Sequence, residues 1–469
     1  MSSKLFPRLR PREGAIARLF CLGLFLALSA CELSPERKID QVGSPVPTLW
    51  SGTDSLAGQV PENWLEEFQA PELAEIVRDA LERNYDLKAA AARVEQARQQ
   101  ALIDGAPIWP QLSFSPDYQR SQVRSAGFGS SEFGAYQAVF NLDWELDIWG
   151  RLRNLRDASR IDADASAADL HAARLSLAAR SAQSYFELAE ASLQVEVAEQ
   201  SIRDRRKIVE LVRGRFARGL TRGLDLRLAL TDLANARSNL AIARNQVQMI
   251  SRRLEVLLGR YPAAKLSAKA TLPEPPGPLS AGVPSELMSR RPDLIAAFDR
   301  LKSADLRVEG AKKALLPRIT LTASGGTRSP ALTELADPRA AVWNLAMGLV
   351  QPLFTGGRLS GQIDLNEAFA EEALNLYKST ALNAFREVEQ VLAAEEWLRE
   401  QERALKEGVE QTESSRKLAV YSYQQGLIEI LTLLDSYRST FSAQSAYLLV
   451  KRQLLNNRID LYLALGGAV

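Results

Sequence analysis

Residues 135–153 read AYQAVFNLDWELDIWGRLR, and two periodicities meet inside them. From Tyr136 to Ile148, apolar Tyr136, Ala138, Phe140, Leu142, Trp144, Leu146 and Ile148 alternate with Gln137, Asn141, Asp143, Glu145 and Asp147. Period two over that length makes a strand with one apolar and one polar face. Beyond the Gly150-Arg151 pair the alternation stops. Residues 152–213 contain no Pro or Gly and are rich in Ala, which predicts one unbroken helix. At 1.5 Å per residue it would reach roughly 90 Å, more than any single globular core needs. A turn at Gly219 leads to a second helix, 224–258. Upstream, Leu112, Phe114 and Tyr118 alternate with Ser113, Ser115 and Asp117, so a first strand precedes the second in a hairpin. GFGSSEFG, 127–134, is expected to be the loop between them.

The pattern is written twice. Asp86-Leu87 returns as Asp293-Leu294, Pro110 as Pro317, and Gly150-Arg151-Leu152 as Gly357-Arg358-Leu359. Gly219-Leu220 and Leu258-Gly259 return as Gly426-Leu427 and Leu465-Gly466, so five anchors share one offset of 207 residues. The second copy supplies two more strands (Ile319, Leu321, Ala323; Trp343, Leu345, Met347, Leu349). It adds a helix from 362 past Gly408 to Gly426 and a return helix, 427–465. In that return helix Leu427, Leu431, Leu434, Tyr437, Phe441, Leu448, Leu455 and Ile459 step mostly by three, four or seven, a coiled-coil-like seam. The expected domains are therefore an export segment 1–30, an N-terminal segment 31–70, a first repeat 71–260, a Pro-rich linker 261–285 and a second repeat 286–469.

The balance of 58 Lys+Arg against 57 Asp+Glu gives no field for nucleic acid. Mean hydropathy is −0.16, which excludes a bundle of spanning helices. Lys4, Arg8, Arg10, Arg12 and Arg18 precede the apolar run Leu19 to Ala30, too short to span and built like an export signal. It ends in Leu28-Ser29-Ala30-Cys31, which resembles the bacterial lipobox and marks Cys31 as the lipidated first residue of the mature chain. Glu32 in place of an aspartate favours the outer membrane by resemblance to bacterial sorting rules.

Four strands with an apolar face cannot close, since membrane barrels start at about eight. Open edges in lipid would leave backbone groups unpaired. The strands must therefore complete a barrel with other copies; three copies would give twelve strands. A soluble sandwich would accommodate Leu112 and Phe140 equally well. Trp109, Phe140, Trp144, Trp149 and Trp343 tilt the reading toward an interfacial belt.

The tandem repeat, WELDIWGRLR and QPLFTGGRL at the strand-to-helix junctions (Gly150, Arg151, Gly357, Arg358), RRPDL and YQQGLIEILTLLD resemble outer-membrane efflux proteins. These are TolC-like channels, in particular the lipidated NodT-type branch serving tripartite pumps. The resemblance implies a mixed α and β trimer. Its twelve-stranded outer-membrane barrel would continue into a periplasmic helical tunnel with a small equatorial domain. It also implies a periplasmic adaptor and an inner-membrane proton-driven (RND-type) transporter as partners. The duct of a protein-secretion system and a lipid-anchored tether are the alternatives. In the family the far end of the tunnel closes like an iris ringed by acidic residues. Leu431, Asp435 and Arg438 fall at i, i+4 and i+7 on one helix face after Gly426, with Tyr423 just before the turn, and match that segment. Gly219 and Gly426 would turn the hairpins that adaptors grip. Ser422 stands where many relatives carry Arg, so one closing contact is expected to be missing.

No catalytic set emerges, and neither a cofactor beyond the lipid nor a metal is expected. His171 and Asp169 are two apart on a helix and do not face each other. Asp143, Glu145 and Asp147 share one strand face and read as polar lumen lining, unrepeated at Val350, Pro352 and Phe354.

Overall fold

Each repeat begins with helices broken at a fixed place. In the computed structural model, which describes residues 50–51, 64–125, 129–277 and 283–467, α1 (Pro71–Arg83) stops at Asn84 and α2 (Tyr85–Gly105) restarts beyond it. Asn84 caps the new helix through its carbonyl, accepting from Leu87 N at 2.9 Å, and donates to the Leu257 carbonyl at 3.0 Å. In the second repeat α5 (Pro284–Arg290) stops at Arg291 because Pro292 forbids a helical residue before it. Arg291 then donates to Ala464 O, the counterpart of Leu257. A 3₁₀ turn, Trp64–Phe68, precedes α1. Cys31, the export segment and most of the N-terminal segment lie outside the described residues.

The long helices run further than their Pro- and Gly-free cores. α3 (Arg151–Ala217) and α7 (Arg358–Gln424) have 67 residues each, about 100 Å of helix. α4 (Gly223–Leu257) and α8 (Ile430–Ala464) return antiparallel to them. With α6 (Pro292–Lys313), the second set of boundaries falls 207 residues after the first at every end of the long helices. Near the strands the helices lie side by side in the order α2, α3, α6, α7. Toward the other end the order is α4, α3, α8, α7.

Strands β1 (Gln111–Ser125), β2 (Gly129–Leu146), β3 (Arg318–Ser329) and β4 (Ala341–Val350) form one antiparallel sheet in sequence order, leaving β1 and β4 as edges. The connection between β1 and β2 is far shorter than the composition of GFGSSEFG suggested. Residues 129–134 already belong to β2, because cross-strand pairing carries Gly and Ser into the ladder despite their low strand preference.

Among the described residues the buried core forms three large clusters and a small fourth of Ala304, Val308 and Ala370 between α6 and α7. Trp64, Phe68, Phe186, Leu254 and Tyr462 pack at the middle of the long helices, Trp64 stacking on Tyr462 at 5.5 Å. Leu294, Phe298, Tyr377 and Val388 form the second. The third lies near the hairpin tips around Val212, Leu233, Leu433 and Leu434. The linker is strapped to the first two. Buried Glu255 accepts from the amides of Ala264, Lys265 and Leu266 at 2.7, 2.7 and 3.1 Å. Burial pushes its pKa up, but these amides outweigh that and hold the carboxyl below its ordinary value. Arg399 and Arg458 both reach Glu395, at 2.8 and 2.7 Å, and the Pro276 carbonyl.

Candidate functional site

The sheet has two chemically distinct faces. One carries Leu112, Phe114 and Tyr118 opposite Leu142, Phe140 and Tyr136, with ring centroids 4.8 Å apart in the Phe pair and 4.4 Å in the Tyr pair. The same face continues through Trp144, Leu321 and Met347 and through Leu146, Ile319 and Leu349. These side chains are exposed in the single chain, Met347 at 71%. An apolar surface of that extent needs a non-aqueous neighbour. The opposite face presents Ser113, Ser115, Asp117, Asn141, Asp143, Thr320, Thr322, Ser324 and Asn344. Asn141 donates to Ser115 Oγ at 3.2 Å, and Gln137 to Asp117. No helix among the described residues is long and apolar enough to cross a membrane.

The aromatic residues divide. Trp109 and Trp343 are exposed, but Phe140 sits within the apolar face opposite Phe114 and Gly325 rather than at a strand end. Trp144 and Trp149 donate to the carbonyls of Ile108 at 2.9 Å and Pro317 at 2.7 Å, pinning the strand ends to the helical part.

The acidic strand face also needs correction. Only Asp143 of the trio is exposed on the polar face. Strand periodicity persists past the strand end at Leu146, and Asp147 turns to the helix instead. It accepts from Leu152 N at 3.0 Å and Arg153 N at 2.9 Å, serving two of the donors that a helix start leaves unpaired. Gly150, at φ +76°, lets the chain bend between them, as Gly357 does at +84°. Glu145 pairs with Arg151 at 2.8 Å. At the second junction Phe354 replaces Asp147, and Arg358 starts α7 without a carboxylate cap. Burial raises the Asp147 pKa, but the two amides and Arg153 outweigh it and leave the carboxyl below its usual value. Its stabilisation is therefore present at neutral pH and disappears as pH falls below the ordinary Asp pKa of about 3.9. Asp147→Ala should lower stability by about 1–2 kcal/mol at pH 7, with the deficit shrinking as pH falls below the ordinary Asp range, measured by thermal melting of the extracted protein.

At the far end, Gly219 and Gly426 close α3 and α7 in left-handed conformation, φ +71° and +76°. The following amides, Leu220 N and Leu427 N, reach back to Arg215 O and Ser422 O, both at 2.9 Å, so each helix ends in the same glycine cap. Arg215 clasps the two turns together, donating to Tyr423 O at 3.2 Å and Gln424 O at 3.1 Å with its guanidinium 5.2 Å from the Tyr423 ring. Tyr423 is buried in this clasp and does not line an opening; burial pushes its phenol pKa up.

Leu431, Asp435 and Arg438 are exposed on one face of α8. The return-helix seam is narrower than the sequence suggested: Leu427 and Leu431 are exposed, while Leu433 and Leu434 enter the core. Arg438 is not directed to Asp435 three residues earlier; it donates to Asp232 of α4 at 2.9 Å. Asp232 also receives Arg205 of α3 at 2.6 Å, and both Arg205 and Asp232 are buried. A parallel link joins Arg416 of α7 to Asp204 of α3 at 2.6 Å. The second hairpin is thus fastened to the first by Arg438–Asp232, Arg416–Asp204 and the Arg215 clasp. Sequence reasoning missed Asp232. Its signal was its place on the apolar stripe Ala229, Leu233, Ala236, where an unpaired acid would be costly. His171 is exposed, and its neighbour Asp169 pairs with Arg300.

A sheet with a lipid-compatible outer face, open at both edges and continued by helices of about 100 Å, defines an outer-membrane channel with a long periplasmic extension. The outer membrane efflux protein family model matches residues 76–260 and again 283–467. The chain belongs to that family. It is 33% identical to the pyoverdine export outer membrane protein OpmQ of Pseudomonas putida, over 96% of this chain and 97% of that protein. It is 32% identical to the outer membrane protein OprJ of Pseudomonas aeruginosa, over 98% and 96%. A Pseudomonas aeruginosa membrane protein of known crystal structure superposes with a TM-score of 0.84 at 32% identity, over 93% of this chain and all of that one. The protein is the outer-membrane duct of an efflux pump in a Gram-negative envelope.

Proposed function

We propose that three copies close a ring in which the sheets form a twelve-stranded barrel and the helices a periplasmic tunnel. The ring is a passive exit for drugs or other small toxic molecules, in which no bond is made or broken. A periplasmic adaptor grips the hairpin turns at Gly219 and Gly426. An inner-membrane RND-type transporter supplies the energy, and lipid on Cys31 adds an anchor in the outer membrane. The observation that supports this reading is that every layer is open on the same two sides. β1, α2 and α4 form one border, and β4 and α7 the other. A polar interior of Ser, Thr, Asn and Asp gives little selectivity, which leaves the choice of substrate to the pump.

The gate at the periplasmic mouth is Leu431 and Asp435, with Arg438 as the link that holds α8 against α4. Tyr423 contributes from within, by fixing the turn beside Arg215. Three Asp435 carboxylates around an axis would attract cations and repel anions. Single-channel recording of the extracted protein in a planar bilayer is expected to give low, cation-selective conductance. Asp435→Ala should raise the conductance or abolish the selectivity. Equal traces from both proteins would remove the gate from Asp435, and silence from folded oligomers would remove the pore.

A further inference from the structure

A hollow of about 760 Å³ opens between α2 and α3 where they approach the sheet. Trp109, two residues before β1, stands at the sheet end with Leu102 one turn further down, 71% and 66% exposed. Buried Ala101 and Ala163 form the floor. Arg98 of α2 and Arg156 and Arg160 of α3 line the rest, with the acids Glu95 and Asp164. Arg156 pairs with its neighbour Asp157 at 2.7 Å, and Arg98 lies 4.0 Å from Glu95. Arg160 is exposed and has no acid partner among the described residues.

The second repeat shows what closes such a hollow. At the 207-residue offset Leu102 becomes Glu309, Gly105 becomes Lys312 and Arg160 becomes Glu367. Lys312 and Glu367 pair across the groove between α6 and α7 at 3.2 Å. Neither half of that pair survives in the first repeat. Glycine leaves the space, close enough to Arg156 that a Cβ would lie 3.1 Å from its Cγ, and arginine reverses the charge.

The hollow faces away from the lumen. On α3, Asp162 and Asp169 reach α6, and Ser159 donates to Asp104 of α2 at 2.5 Å. At about 3.6 residues per turn these three share one side of the helix, and Arg160 and Asp164 lie on the other. In a ring, both neighbours of a helix sit toward its lumen side, so Arg160 and Asp164 point outward.

We propose that this hollow holds an anionic phospholipid from the periplasmic leaflet of the outer membrane. Its phosphate sits on Arg156 and Arg160, and its glycerol and upper acyl carbons lie against Trp109 and Leu102. The inference rests on the ring described above, which sets the outward side, and gives that ring a lipid ligand.

Three observations carry it. First, the hollow continues the lipid-facing sheet, since Trp144 of the apolar face donates to Ile108 O beside Trp109. Second, the arginines are aimed correctly. Helical side chains lean toward the helix N-terminus, and α3 begins at the sheet, so Arg156 and Arg160 lean toward the membrane. They start about 8 and 14 Å down the helix, and the headgroup layer is about 5–8 Å deep. Long arginine stems laid along an apolar floor span the remainder. Third, the lining pairs an apolar end near the hydrocarbon with a cationic end away from it. That is the order of parts in a phospholipid, and Arg160 offers a guanidinium that no side chain uses.

The test gives the first repeat the side chains of the second. Native mass spectrometry of the detergent-extracted oligomer, titrated with dioctanoyl phosphatidylglycerol, should show saturable binding of one lipid per chain. Arg160→Glu and Leu102→Glu should each weaken that binding at least about tenfold, and Arg160→Lys should largely retain it. Both positions are exposed, so melting by circular dichroism and single-channel conductance should match the native protein. Dioctanoylglycerol, which lacks the phosphate, should bind weakly, and inorganic phosphate should not displace the lipid. Undiminished binding to Arg160→Glu, or adducts that never saturate, would overturn the site. Equal binding of dioctanoylglycerol would remove the phosphate from the recognition, and displacement by inorganic phosphate would make this a site for free anions. A native protein that conducts but takes up no lipid overturns this inference alone, whereas one that is monomeric overturns the ring.

Discussion

Asp232→Ala should destabilise the helical hairpins by about 3–5 kcal/mol, the largest effect expected of any single side chain near the mouth. The carboxylate is shared by Arg205, which is 6% exposed, and Arg438, which is 52% exposed. Removing it leaves the Arg205 guanidinium buried without its counter-ion, and α3 cannot release it to water without opening the cluster of Val212, Leu233 and Leu434. Arg438→Ala removes only the half-exposed partner, and a screened pair of that kind is worth about 0–1 kcal/mol. Thermal melting by circular dichroism separates the two, because only the Asp232 variant should lose a large part of its stability. Both should raise the resting conductance, since both release α8 from α4. Equal melting of Asp232→Ala and Arg438→Ala would show that Arg205 finds another partner, and the proposed link would lose its buried half.

Gly326→Val should abolish insertion of the barrel while Gly325→Val is tolerated. A Cβ on Gly326 would lie 2.1 Å from Ala138 O and 2.7 Å from Val139 Cα. Both are backbone atoms of β2 and cannot turn aside, so β2 and β3 would have to part. That ladder is the only one among the described residues that joins the two β-hairpins of a chain. Gly325, one residue earlier, has nothing within 4 Å of its Cβ position. It lies opposite Phe140 on the apolar face, so valine there adds surface that lipid accepts. The readout is the amount of each variant recovered in outer membranes and protected from added protease. Recovery of Gly326→Val at the native level would mean that β2 and β3 can separate without cost to the barrel.

Much of the fold was legible because it depends on local rules. Alternation from Tyr136 marked a strand. The absence of Pro and Gly after Arg151 marked a helix, and the glycines at 219 and 426 marked its ends to within two residues. What escaped depends on the third dimension. Asp147 continues the strand rhythm in sequence, yet its carboxylate is claimed by helix amides once Gly150 turns the chain. GFGSSEFG has loop composition, yet the pairing partner in β1 makes most of it strand. Asp435 and Arg438 are three apart on one helix, but Arg438 takes an acid 206 residues away. Tyr423 sits beside a turn in sequence and beneath Arg215 in space. A pairing across that distance leaves no periodicity to read; only the misfit of Asp232 on an apolar stripe hinted at it.

The shared helix boundaries make the two hairpins rulers of one length. Inserting seven residues into each helix of the α3–α4 hairpin alone would lower its tip by about 10 Å and pull Arg215 away from Tyr423. The same insertion made in both hairpins would move both tips together and keep every link between them in register. Depth of reach into the periplasm can therefore change only in matched steps, and a lineage that needed a deeper tunnel would have to lengthen both halves of its gene at once.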